Sequence, residues 1–163
     1  MPLLGYAERM TYKDLARGGF AQASKRFLED LDALPESAFT HSFGPATRTV
    51  ADIVYEVDLV NKHVAMTLRG EEPFAWPEGG WITAPEGFDS KSVVTEAFRS
   101  TSEMVLSTLE GLSEEQFLEL QATDQGEKTR LQQCQFMSMH IWYHSGQLNF
   151  IQTLLGDSDW HWS

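Results

Sequence analysis

The sequence predicts an all-α fold: a four-helix bundle formed by a single domain over residues 1–163. Three observations predict it. Four stretches of about 20 residues carry apolar positions at helical spacing. Each is bracketed by a side chain that can cap a helix start and by a Gly or Pro stop. Alternation of β-branched residues never lasts long enough to write a strand. A length of 163 residues suits one hydrophobic core, and four such helices in one small chain fit a bundle.

The first helix runs from about Tyr12 to Leu34, "YKDLARGGFAQASKRFLEDLDAL". Thr11 caps it with Asp14 at the third helical position, a variant of the capping box, and Pro35 follows its end. Gly18 and Gly19 weaken its middle by roughly 1 kcal/mol each relative to Ala, which predicts a kink or a close helix contact there. The second helix runs from about Val50 to Arg69, with Thr49 and Asp52 as its capping pair and Gly70 as its stop. A long aromatic crossover follows, "GEEPFAWPEGGWITAPEGF", with three prolines and two tryptophans, Trp76 and Trp81, between Gly70 and Phe88. A loop of this length is either a lid or binding element, or a connector that tucks its aromatics onto the core. The third helix spans about Lys91 to Leu109, opened by Asp89 or Ser90 and closed near Gly111. A short extra helix, "EEQFLEL", follows a cap at Ser113. The fourth helix runs from about Arg130 to Leu155, capped by Thr129 with Gln132 and stopped by Gly156.

Charge and composition exclude several functions. A net charge of −12, with no cluster of Lys and Arg, argues against nucleic acid and against anionic membranes. No apolar run approaches the roughly 18 residues a membrane-spanning helix needs. The start, "MPLLGYAERMTYKD", has neither a basic flank nor a small-residue cleavage site, so no secretion signal is expected. The single cysteine, Cys134, rules out an intramolecular disulfide and fits a reducing cytoplasm. It reads as a small apolar residue inside a helix.

The residues that could carry chemistry lie on the second and fourth helices. Met137, Ile141, His144, Leu148, Ile151 and Leu155 form a core seam at spacings of 4, 3, 4, 3 and 4. His144 stands in the middle of that seam, and His140 lies about 40° to one side. Residues four apart on a helix are neighbours, so the two imidazoles can converge on a metal ion. The plainer alternative is two separate polar residues, each satisfied by a hydrogen bond. The apolar face of the second helix also carries Asp52, Glu56 and His63. Buried carboxylates invite a cation or a hydrogen-bonding partner. Glu56 and His63 are about 10 Å apart along the axis, so one of them joins the pair and the other lies one level away. His41 and His161 are read as exposed or locally packed, and the tail "DSDWHWS" as packing on the bundle or on another subunit.

The stretch "HIWYHSGQLNFIQTLLG" resembles the fourth-helix motif of the DinB/YfiT-like superfamily of metal-dependent enzymes, H-x-x-x-H-x-G-Q-L followed by an apolar run to Gly. "TRTVADIVYEVDLVNKHVAMTLRG" resembles the family's second-helix segment. The resemblance implies an up-down-down-up bundle, commonly a homodimer, holding a divalent metal: Zn, Ni, Mn or Fe. It places His140 and His144 as two ligands. The family's second-helix histidine falls on Glu56, which leaves three readings: Glu56 as third ligand, His63 in its place, or a degraded site. Asp52, Tyr143 and Gln147 lie near the face, placed to support the ligands or to line a substrate pocket. The loop around Trp76 and Trp81 offers a wall for an apolar substrate.

The function so implied is a metal-dependent transferase or hydrolase acting on a small molecule, with a low-molecular-weight thiol as cosubstrate. The alternatives are a non-catalytic dimeric bundle that binds a metal or small ligand as a sensor, and a stress-related protein with a vestigial site.

Overall fold

Each helix starts at its capping residue. A computed structural model describes residues 10–163; residues 1–9, and with them most of the stretch read as lacking a secretion signal, lie outside the described part. Helix α1 is Tyr12–Ala33, α2 Val50–Leu68, α3 Lys91–Gly111 and α4 Arg130–Leu154. Thr11, Thr49 and Thr129 close capping boxes with Asp14, Asp52 and Gln132, each cap contributing about 1 kcal/mol. Ser90, not Asp89, caps α3 by accepting from the Val93 N–H.

The ends follow equally local rules. Leu34 is extended because Pro35 follows it, so α1 stops at Ala33. Gly70 and Gly156 take the left-handed conformation, at φ 76° and 90°, just beyond α2 and α4. Helix α1 runs unbroken through Gly18 and Gly19. At Gly19 an added Cβ would meet the Ser138 hydroxyl of α4 at 3.8 Å, so α1 and α4 come into contact there.

Two elements differ from expectation. "EEQFLEL" forms only one 3₁₀ turn, Glu115–Leu118. The chain then enters a hairpin, β1 Leu120–Thr123 and β2 Gly126–Thr129, paired antiparallel from Leu120↔Thr129 to Thr123↔Gly126. Strands of four residues are too short for alternation to be read from sequence. Gly126, at φ 92°, makes the two-residue turn possible.

Contacts between helices give their directions. Lys91, at the start of α3, reaches the carbonyls of Asp32 and Leu34 at the end of α1, so α1 and α3 run opposite ways. Asp58 and Thr101, then Arg69 and Thr108, pair α2 with α3 in parallel. Arg130, at the start of α4, donates to the Leu68 carbonyl at the end of α2. Together these make an up-down-down-up bundle in which α1 packs on α3 and α4, and α2 packs on the same two. The core is one cluster built on Phe20, Phe27, Phe98, Leu109, Met137 and Ile141. The fourth-helix seam is buried from Met137 to Ile151, but Leu155 is 38% exposed because the helix has already ended. Cys134 is buried in α4, as read. Among the described residues no helix is long and apolar enough to cross a membrane.

Candidate metal centre

The antiparallel packing of α2 on α4 brings Glu56 opposite the two histidines. His140 Nε2 and His144 Nε2 lie 3.1 Å apart. Glu56 Oε1 stands 3.6 Å from the first and 3.9 Å from the second. The three donor atoms lie within 4.8 Å of one another, the only such group of three among the described residues. His63 does not join them. Its ring sits further along α2 against Phe74 and Trp76.

The donor chemistry suits a divalent ion. The His144 Nδ1–H donates to Gln147 Oε1 at 2.8 Å, which leaves Nε2 as a bare lone pair. Burial lowers the pKa of His140, outweighing the pull of Glu56. Burial, reinforced by His140, lowers that of His144 to about 4. Both rings are therefore neutral at pH 7, so a metal has no imidazolium proton to displace. Two imidazoles and one carboxylate oxygen form a donor set that Zn²⁺, Ni²⁺, Mn²⁺ or Fe²⁺ accepts.

Arg48 completes the arrangement, and sequence reasoning missed it. Its guanidinium pairs with Glu56 Oε2, leaving Oε1 for the imidazoles. It also donates to the Asp52 carbonyl at 3.1 Å and lies under the Trp81 ring, 5.3 Å from its centroid. The signal available was the buried carboxylate itself, which needs a cation.

The remaining expected residues divide. Gln147 Oε1 accepts from the His144 ring. Tyr143 stacks edge-on against His144 at 5.0 Å but is 60% exposed. The Asp52 side chain does not face the donors. It caps α2 and accepts from the Ala84 N–H at 2.8 Å, which ties the crossover loop down. His41 packs on Phe43 and His161 bonds Asp157, both local roles. The tail packs on the bundle through Trp162, which meets Trp142 and donates to Asp30.

The donors open onto a cavity of about 1680 Å³. Glu56 and His140 border it, with His63, Phe74 and Trp76 on one wall and Gln133 on another. The crossover loop thus tucks aromatics onto the bundle and also walls the cavity. Trp81 lies outside that wall, 69% exposed.

A family model described as the DinB superfamily matches residues 19–148. Among solved structures, a conserved protein from Enterococcus faecalis is similar at TM-score 0.71 and 16% identity, covering 91% of this chain and 100% of that one. A DinB-like protein from Bacillus subtilis gives 0.70 and 15%, covering 89% and 94%. A mutant of the mycothiol-dependent maleylpyruvate isomerase gives 0.64 and 13%, covering 86% of this chain and 63% of that one. A search of curated proteins gives no match.

Proposed function

This chain belongs to the DinB superfamily, and on that premise we propose that it is a divalent-metal-dependent enzyme that transfers an external low-molecular-weight thiol to a small molecule, or hydrolyses one. The observation that carries the reading is the convergence of Glu56, His140 and His144 at the edge of a large cavity. A bound divalent ion would supply a Lewis acid that holds a thiol as thiolate at neutral pH.

The chain's own residues supply the setting. Gln147 orients His144, Arg48 holds Glu56, and the crossover loop walls off part of the solvent. Cys134 is no candidate nucleophile, because burial pushes its thiol up to about 12, so the sulfur must come from outside. Single small-molecule sites occupy about 300–1,000 Å³. A volume of about 1680 Å³ accommodates a substrate and a thiol together. The mycothiol dependence of one structural neighbour is a precedent for thiol chemistry on this fold.

A homodimer is part of the same proposal. Phe136, Met139, Tyr143, Phe150 and Leu154 form an exposed apolar stripe along α4, the kind of face a second copy covers. The test of function is conversion of 1-chloro-2,4-dinitrobenzene with 2-mercaptoethanol by protein loaded with each of the four metals. Metal-dependent turnover that disappears in His140→Ala supports the enzyme; metal binding without turnover of any thiol–electrophile pair favours the sensor reading.

A further inference from the structure

We propose that His63, Phe74 and Trp76 form a second subsite in the same cavity, one that takes a planar aromatic or conjugated group bearing a hydroxyl or carbonyl. The proposal deepens the functional reading: a molecule seated there would extend its reactive end toward the metal donors.

His63 is seven residues beyond Glu56 on α2, two helical turns or about 10 Å along the axis. Both side chains border one cavity. The His63 Nδ1 is buried and has no hydrogen-bond partner. Buried polar groups are nearly always paired, and the half-buried His63 ring borders the cavity, so a turn of the ring toward it would let a ligand's hydroxyl or carbonyl pair Nδ1.

The walls beside it are aromatic. The Phe74 and Trp76 rings meet His63 edge-on, with centroids at 5.3 Å and 5.8 Å and planes at 90° and 80°. They lie nearly parallel to each other, 17° apart at 6.5 Å. Trp76 keeps 39% of its surface exposed, so part of the ring is free for contact. Rings arranged this way favour a planar partner over a saturated one of equal size. The same cavity is also bordered by amides: Gln121 donates to the Thr67 carbonyl at 2.6 Å and accepts from Gln133 at 2.7 Å. Around the same cavity Glu71, Glu72 and Asp124 outnumber Lys128, which disfavours an anionic ligand and suits a neutral one. The chemistry points to an aryl or enone compound roughly 10 Å long, anchored by its ring at His63 and reacting at the Glu56 end.

The test is calorimetric titration with 2-naphthol and with decahydro-2-naphthol, which keeps the skeleton and hydroxyl but loses planarity. Metal content is measured on the same samples. Wild type is expected to bind 2-naphthol at least tenfold more tightly than the saturated alcohol. His63→Phe, which keeps the ring and removes Nδ1, and Trp76→Leu should each weaken 2-naphthol tenfold or more with metal content unchanged. Glu56→Gln should lose metal and keep 2-naphthol. Equal affinity for the two alcohols, no binding by wild type, or wild-type affinity in His63→Phe would each overturn the subsite. Naphthol binding by a wild type that takes up no metal would overturn the metal reading and leave the subsite standing.

Discussion

Arg48 and Glu56 form an ion pair that engages only one carboxylate oxygen: Oε2 meets the guanidinium, while Oε1 stands 3.6 Å from His140 Nε2. Both side chains are largely buried, so removing the arginine strands a carboxylate. Metal-free Arg48→Met is expected to lose about 3 kcal/mol of stability, and saturating metal should restore most of it by giving Glu56 a new cation. Denaturant unfolding with and without metal reads this directly. An equal loss in both states would mean that Arg48 serves folding alone.

Gln147 fixes the His144 tautomer through the 2.8 Å bond at Nδ1. Outer partners of ligating histidines typically contribute 10–100-fold in metal affinity. Gln147→Leu should therefore weaken metal binding by about that factor, while Gln147→Glu, which still accepts the Nδ1–H, should not. Chelator competition measures both variants, and unchanged affinity in the leucine variant would remove Gln147 from the site.

Burial keeps both imidazoles unprotonated, with His144 down at about 4. Metal affinity should be flat between pH 8 and 7 and fall at lower pH as His140, held below its ordinary 6.5, and then His144 take up protons. The sign for the metal-free fold follows from linkage. A histidine whose folded pKa is depressed contributes stability that is present above its unfolded value of about 6.5 and lost as pH falls toward the folded value. Affinity that already declines by pH 7 would show solvated rings.

Asp58 gives the opposite sign. It is buried on α2, bonded only to the Thr101 hydroxyl at 2.7 Å, and desolvation raises its pKa to about 6. A raised carboxyl stabilises the fold below its unfolded value near 3.8, and that stability is lost as pH rises through the folded value. Asp58→Asn keeps an acceptor for Thr101 and should gain about 3 kcal/mol at pH 8 and nothing at pH 3. Thermal unfolding at the two pH values checks it.

The parts of the fold that local chemistry decides were legible in the sequence. Three Thr capping boxes with Pro35, Gly70 and Gly156, and for α3 the Asp89–Ser90 start and Gly111, placed every helix within two residues of its observed ends. The hairpin was not legible, because four-residue strands carry no period and β1 depends on pairing with β2. In the site, the four-residue spacing of His140 and His144 exposed two donors, and Glu56 was reachable from its place among apolar neighbours. Whether Glu56 or His63 faced the pair depended on the stagger of α2 against α4, which no local pattern encodes. Arg48 was missed for a related reason: it precedes the helix, where a cation ordinarily reads as a solvated loop residue. Asp52 was given to the site when its capping role already accounted for it.

The central claim is that one divalent ion is held between α2 and α4 by Glu56, His140 and His144. Elemental analysis of protein made without an affinity tag or chelator tests it most directly. The account predicts one ion per chain in wild type and in His63→Phe, and near-complete loss in folded Glu56→Gln, His140→Ala and His144→Ala. A wild type that takes up no ion, or an ion retained by those three variants, would contradict it.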